Sequence, residues 1–207
     1  MPIYKHGKQT NIMSFQEVKQ KVLDTNISIS SESFFWLLYY CGVRKSEAYE
    51  RVVADFEINE NYLIVDFHKR KKAGDEVDPL ELPRHWYGID KIVAVVVKAS
   101  KNKPCKKAVW QYSKGERWRV FKRDFWVWPR IGATKAWQIV NAVLGEAYYP
   151  HFLRLNRLTE IAQDPTASLT RLKSFSGIRS VKVLDQYLGT SKKEQKAALA
   201  FMEKQQS

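Results

Sequence analysis

The chain has 207 residues, of which 44% are hydrophobic and 13% aromatic. This composition excludes a mostly disordered protein and allows a substantial core. Its formal net charge is +13 at pH 7, so a polyanion such as nucleic acid is the first partner to consider. Two cysteines argue against a disulfide framework or a cysteine-based zinc site, and no apolar run is long enough to cross a bilayer. These features predict a soluble cytoplasmic protein with no membrane partner.

Two helices are predicted at the start of the chain. Residues 14–24 place apolar side chains at amphipathic spacing, and Ser14 with Glu17 forms a capping-box pattern at the first turn. A strongly apolar helix opens near residue 30 and is ended by Gly42.

A short third helix and a hairpin are predicted next. The helix covers residues 46–54 and places Arg44 in a tight joint between two helices. Strands over residues 62–67 and 77–82 flank a basic turn at residues 69–75.

The second half of the chain is predicted to be mostly helical. Residues 90–100 contain the run IVAVVV, which suits a strand or a buried helix, and its length and flanking lysines favour the helix. A second hairpin is predicted from strands over residues 108–112 and 117–121. Further helices are predicted over residues 134–144, 150–163, 168–174, 180–188 and 191–205. The predicted fold class is mainly α with a small antiparallel β-sheet.

The positive charge is concentrated in one segment. Residues 91–135 contain thirteen Lys or Arg and two acidic residues, a net charge of +11. The same segment holds four tryptophans, and cations interleaved with aromatic rings suit a surface that follows a phosphate backbone. We predict contact with DNA or RNA there, with a solvated basic face over core aromatics as the alternative.

Four local patterns occur in a specific order along the chain. His151 and Arg154 are three residues apart on a predicted helix that Pro150 begins, so both side chains project from one face. Taken alone, this pattern is common. The four patterns are YYCGVRKSEA around Arg44, a lysine-rich turn before VDPLEL, YYPHFLRLNR around Arg154, and SFSGIRSVKVLDQYLG around Tyr187.

In this order, the patterns resemble the catalytic domain of the tyrosine recombinases, the phage-integrase family. The resemblance covers residues 14–188, with residues 92–128 matching poorly. It implies the tyrosine recombinase catalytic-domain fold. It also implies one catalytic domain over residues 1–207, with a core at about 14–188, a C-terminal tail helix at 189–207 and no N-terminal core-binding domain.

The resemblance implies a site-specific recombinase, or integrase, that cuts and rejoins double-stranded DNA through a 3′-phosphotyrosyl intermediate. Arg44 and Arg154 would clamp the non-bridging phosphate oxygens, and Tyr187 would attack the phosphorus. This exchange of phosphodiester for phosphotyrosyl bond needs neither metal nor cofactor.

The same resemblance implies that two further residues take part in proton transfer. Lys71 in the hairpin turn would protonate the leaving 5′ oxygen, with Lys69 and Lys72 as competing choices. His151 would assist proton transfer and orient the phosphate.

The basic residues predicted to contact DNA lie in the two hairpins. They are Lys69, Arg70, Lys72, Lys106, Lys107, Arg117, Arg119, Lys122 and Arg123. The sequence contains no long coiled-coil heptad pattern that could hold a stable dimer, so we expect a monomer in solution. The resemblance implies assembly with further copies on DNA.

Two departures from the family pattern leave other functions open. Ile178 occupies the place where the family has His or Trp, and Arg44 comes too early to leave room for an N-terminal domain. The alternative is therefore a catalytically impaired DNA-binding protein on the same fold. A basic RNA-associated structural protein would explain the charge but not the ordered Arg, Lys, HxxR and Tyr patterns.

Overall fold

The computed structural model describes residues 4–5, 8–9, 12–67, 79–113, 116–164, 172–173 and 175. Residues 172, 173 and 175 are helical, and six further α-helices have defined bounds in this part of the chain. They are α1 (Phe15–Leu23), α2 (Ile29–Cys41), α3 (Lys45–Tyr49), α4 (Ile89–Ser100), α5 (Ala133–Leu144) and α6 (Pro150–Gln163). The helices predicted over residues 180–188 and 191–205, and most of the one over 168–174, lie outside the described residues.

The helix ends agree closely with the local sequence signals. Ser14 caps α1 and forms the predicted capping box with Glu17, and Pro150 is the first residue of α6. Gly42 ends α2 with a left-handed φ of +53°, a conformation that glycine adopts without strain. These predictions are confirmed.

The run IVAVVV forms a helix, as predicted. Its buried side chains are Ile89, Ile92, Val96 and Ala99, which follow helical rather than alternating spacing. One face of α4 therefore packs into the core.

The third helix is shorter than predicted. α3 ends at Tyr49, and a 3-10 turn at Val53–Asp55 replaces the rest of the predicted helix. Between them the chain is extended, because Val52 forms a β-bridge with Trp126. This pairing partner is distant in sequence, so no helical pattern could indicate it.

Three antiparallel sheets occur among the described residues, where one small sheet was predicted. β1 (Tyr4–Lys5) pairs with β2 (Lys8–Gln9), and β6 (Cys105–Ser113) pairs with β7 (Glu116–Asp124). The third sheet has the order β3-β4-β5 and comprises β3 (Phe56–Ile58), β4 (Tyr62–Val65) and β5 (Leu80–Pro83). Strand β3 was not predicted, since three residues are too few to show an alternating pattern.

Helix α2 is the centre of the core. Its residues from Ser31 to Cys41 are buried, and it packs against α3, α4, α5 and α6. The Trp36 ring lies within 5.4–6.2 Å of five other aromatic rings, measured between centroids. This packing fixes the C-terminal end of α2, from which the candidate site is built.

Among the described residues, none of the helices combines the length and apolar character required to span a membrane.

Candidate functional site

Arg44 lies at the N-terminal cap of α3, two residues after the glycine that ends α2. The carboxylate of Glu47 accepts hydrogen bonds from the Arg44 backbone N–H at 2.8 Å and from its guanidinium at 3.0 Å. The Arg44 side chain is 63% exposed. Glu47 therefore orients a guanidinium that is open to a ligand.

Arg154 comes from the other side of the site, on α6. It is only 2% exposed, and its guanidinium donates a hydrogen bond to the Gly42 carbonyl at 2.6 Å. The contact joins residues 112 positions apart. It ties α6 to the turn that carries Arg44, so the two predicted arginines belong to one site.

His151 completes this group of described residues. It lies in the first turn of α6, and its ring is nearly parallel to that of Tyr149, with centroids 6.5 Å apart. Partial desolvation on its packed side lowers the pKa of His151 below 6.5, although the residue as a whole is exposed. The charges of Arg154 and Arg44 lower that pKa further. The imidazole is therefore neutral at pH 7 and able to accept a proton.

Two groups that hold the arginines of this site in place were not predicted from the sequence. The Gly42 carbonyl holds Arg154, and the Glu47 carboxylate holds Arg44. The spacing of Arg44 and Glu47 is that of a capping pair, so the second partnership was detectable in the sequence. The first depends on the tertiary structure.

Other predicted site residues lie outside the described part of the chain. They are Lys69, Arg70, Lys71, Lys72, Ile178 and Tyr187. Strands β4 and β5 pair antiparallel, so the segment that carries the lysines connects two neighbouring strands. The roles of these residues remain predictions.

Comparison with known proteins identifies the fold. No protein-family model and no curated protein sequence matches the chain significantly. Among solved structures, the XerH site-specific recombinase bound to its difH substrate matches in a pre-cleavage complex, with 15% identity and a TM-score of 0.58 over 88% of this chain and 50% of XerH. The XerH post-cleavage complex on a palindromic difH substrate matches with 15% identity and a TM-score of 0.62, over 98% of this chain and 56% of XerH. The XerA recombinase matches with 14% identity and a TM-score of 0.59, over 99% of this chain and 66% of XerA.

The chain has the fold of a tyrosine recombinase catalytic domain. At this level of identity the likeness concerns the fold alone. The chain spans between half and two thirds of the length of these recombinases.

Within this recombinase fold, β6 and β7 form a hairpin that carries most of the predicted DNA-contacting residues. Lys106, Arg119, Lys122 and Arg123 are exposed, and Arg117 lies in β7.

Lys107 differs from its neighbours, because it is only 8% exposed. Its ammonium donates hydrogen bonds to the backbone carbonyls of Tyr49 at 2.5 Å and Trp128 at 2.6 Å. Such a lysine has no surface to offer a phosphate, so the prediction that Lys107 contacts DNA is wrong. Lys107 instead anchors the hairpin to the C-terminal end of α3.

Burial lowers the pKa of Lys107 from 10.5 to about 8. Between these two values the unfolded chain binds more protons than the folded one, so the free energy of unfolding rises with pH.

Replacing Lys107 should remove this pH dependence. From about pH 7.5 to about pH 9.5, we expect the free energy of unfolding of the natural protein to rise by roughly 1–2 kcal/mol relative to Lys107→Met. Urea denaturation at both pH values measures the difference. The exposed neighbour provides the control, since Lys106→Met should follow the natural protein. Parallel pH curves for Lys107→Met and the natural protein would contradict the assigned pKa.

A cavity of about 400 Å³ is lined by residues that include Tyr39 and Tyr40 of α2 and Arg157 of α6, and Arg157 lies next to Gly42. Its walls are mostly aromatic, and Arg157 and Glu160 of α6 form an ion pair at 3.1 Å on its lining. Glu160 also accepts a hydrogen bond from the Tyr39 hydroxyl at 3.0 Å, which joins α6 to α2 beyond Arg154.

In the described part of the chain, no three His, Cys, Asp or Glu residues are grouped to hold a metal ion.

Proposed function

We propose that this protein is a tyrosine-type site-specific recombinase that cuts and rejoins DNA through a covalent phosphotyrosyl intermediate. The observation that carries the proposal is the convergence of Arg44, His151 and Arg154 at one site in a recombinase fold. The hydrogen bond from Arg154 to the Gly42 carbonyl supports it, because this contact joins the two arginine-bearing elements.

The proposed chemistry follows from the charges of this site. As a nucleophile attacks a DNA phosphate, negative charge builds on the non-bridging oxygens, and two guanidinium groups stabilise that charge with several donors. Arg44 would reach the phosphate from the exposed side of the site, and Arg154 would contribute from its buried floor. His151 is neutral at pH 7 and suits the acceptance of a proton from the nucleophile.

The nucleophile proposed here is Tyr187. Its hydroxyl loses a proton and attacks the phosphorus, forming the phosphotyrosyl bond as the bond to the 5′ oxygen breaks. Lys71 supplies the proton to that oxygen, with Lys69 and Lys72 as the other candidates. Attack by a 5′ hydroxyl on the phosphotyrosyl bond reverses the sequence and rejoins the strand.

The proposed DNA-contacting residues lie on both hairpins. They are Lys69, Arg70 and Lys72 in the first, and Lys106, Arg117, Arg119, Lys122 and Arg123 in the second. The structures of XerH bound to difH substrate support double-stranded DNA as the partner, and we also propose that several copies of this protein assemble on that DNA.

A nicked suicide substrate tests the proposed reaction. After cleavage next to a nick, the short fragment that carries the 5′ hydroxyl diffuses away, and the protein stays covalently attached. A pool of nicked duplexes with randomised sequence, first enriched for the duplexes that the protein binds, serves as the substrate, so that the test does not require a chosen target site. We expect the natural protein to give a covalent band in denaturing gels.

Tyr187→Phe should abolish this band. The matched control is Tyr62→Phe, which alters a half-exposed tyrosine on β4 and should leave the band intact. Binding of the pool without any covalent band would overturn the proposed activity. It would favour the catalytically impaired DNA-binding protein suggested by Ile178.

A further inference from the structure

The β6–β7 hairpin presents the aromatic ring of Phe121 to solvent. Side chains alternate between the two faces of a hairpin, and Ala108 is the cross-strand partner of Phe121. Alanine is too small to cover a phenyl ring on the same face. Phe121 is consequently 70% exposed, whereas Val109, on the opposite face, is buried.

Cations surround this ring on the same face. Arg119 and Arg123 lie two residues before and after Phe121 on β7, and Lys106 is the cross-strand partner of Arg123. All three cations are exposed. The Arg119 guanidinium carbon is 5.8 Å from the centre of the Phe121 ring, so charge and ring are presented together.

The root of the hairpin is fixed close to the arginine site. Lys107 bonds to the carbonyl of Tyr49, the last residue of α3, and Arg44 caps the other end of that five-residue helix. A helix of this length rises only about 7.5 Å. The bridge between Val52 and Trp126 adds a second attachment. A duplex that reaches Arg44 therefore passes near the hairpin.

We infer that the outward face of this hairpin is a DNA-bending surface. Lys106, Arg119 and Arg123 contact phosphates on a duplex, and the Phe121 ring inserts between neighbouring base pairs. An apolar wedge flanked by cations is the means by which proteins partly unstack and kink a duplex. The inference rests on the proposed function, because the partner is duplex DNA. It assigns the bending of that DNA to the Phe121 side chain.

The test compares bending by variants of the full chain. A short duplex of mixed sequence carries a donor and an acceptor dye at its two ends, and energy transfer reports the end-to-end distance. We expect the natural protein to increase the transfer and Phe121→Ala to return it to that of the free duplex. Phe121→Leu should keep most of the increase, since leucine also serves as a wedge.

Two further comparisons separate the wedge from general binding. Trp137→Ala removes another exposed aromatic residue, 47% exposed on α5, and should leave the bend unchanged. Arg119→Gln with Arg123→Gln should reduce the slope of log K against log salt by about 0.9 for each phosphate that the variant no longer neutralises.

Equal bending by the natural protein and Phe121→Ala would overturn the inference. A covalent band from the suicide substrate, observed alongside that equal bending, would leave the proposed function standing. If the natural protein does not bind duplex DNA at all, both proposals fail.

Discussion

Arg44→Ala should lower the rate of DNA strand cleavage by about 10²–10³-fold, as expected when one donor to a developing oxyanion is removed. The protein should nevertheless remain folded. The Arg44 side chain is 63% exposed and forms a surface ion pair with Glu47, and such pairs contribute at most about 1 kcal/mol to stability. Single-turnover cleavage of the suicide substrate and urea denaturation measure the two effects.

Lys45→Ala is the matched control for Arg44→Ala. Lys45 is the exposed neighbouring cation, so its removal reduces the local charge equally without touching the proposed phosphate clamp. Its cleavage rate should stay within a few fold of the natural protein's. An Arg44→Ala protein that cleaves as fast as Lys45→Ala would exclude Arg44 from the reacting phosphate.

Arg154→Ala is the less informative variant, for a structural reason. The buried guanidinium of Arg154 also satisfies the Gly42 carbonyl, and a buried acceptor left without its donor costs about 1–3 kcal/mol. A drop in cleavage by Arg154→Ala would therefore combine a chemical effect with a stability effect.

The second large effect is expected at Gly88. Gly88→Ala should lower the free energy of unfolding by about 3–5 kcal/mol, from backbone strain and steric overlap together. Gly88 has φ of +81°, and an added Cβ would lie 2.5 Å from Cδ1 of Trp36. Trp36 is fully buried and cannot move aside, because its indole N–H donates to Glu32 at 3.2 Å. The melting temperature should fall by roughly 6–20 °C.

Two other glycines separate the causes of this loss. Gly145 has φ of +103° with no atom within 4 Å of an added Cβ, so Gly145→Ala reports strain without overlap. Gly132 has an extended φ of −124° and is equally open, so Gly132→Ala should cost at most about 1 kcal/mol, from the weaker N-cap of α5. The expected order of destabilisation is Gly88, then Gly145, then Gly132. If Gly88→Ala lowers the free energy of unfolding no more than Gly145→Ala does, the core repacks around Trp36 to accept the added methyl group.

The sequence by itself determined the features that depend on few neighbouring residues. The capping box at Ser14, the glycine stop at Gly42 and the proline start at Pro150 each lie within one helical turn. Their local hydrogen bonds and backbone angles specify helix ends without reference to the rest of the chain. The length and flanking lysines of α4 also sufficed to favour a buried helix over a strand.

The order of the four motifs pointed to a fold that the structure comparison then confirmed. His151 and Arg154 were placed on one helix face by spacing alone. That these two side chains lie close to Arg44 was implied only by resemblance. In the structure it depends on the packing of α6 against the end of α2.

Only the tertiary structure decided which lysine of the basic hairpin is buried. Lys106 and Lys107 are adjacent and identical in type, so no local pattern separates them. The alternation of a strand turns one toward solvent and the other toward the core. The carbonyls of Tyr49 and Trp128, distant along the chain, then accept the buried ammonium. Long-range packing of this kind also shortened α3, because the extended segment after it pairs with Trp126.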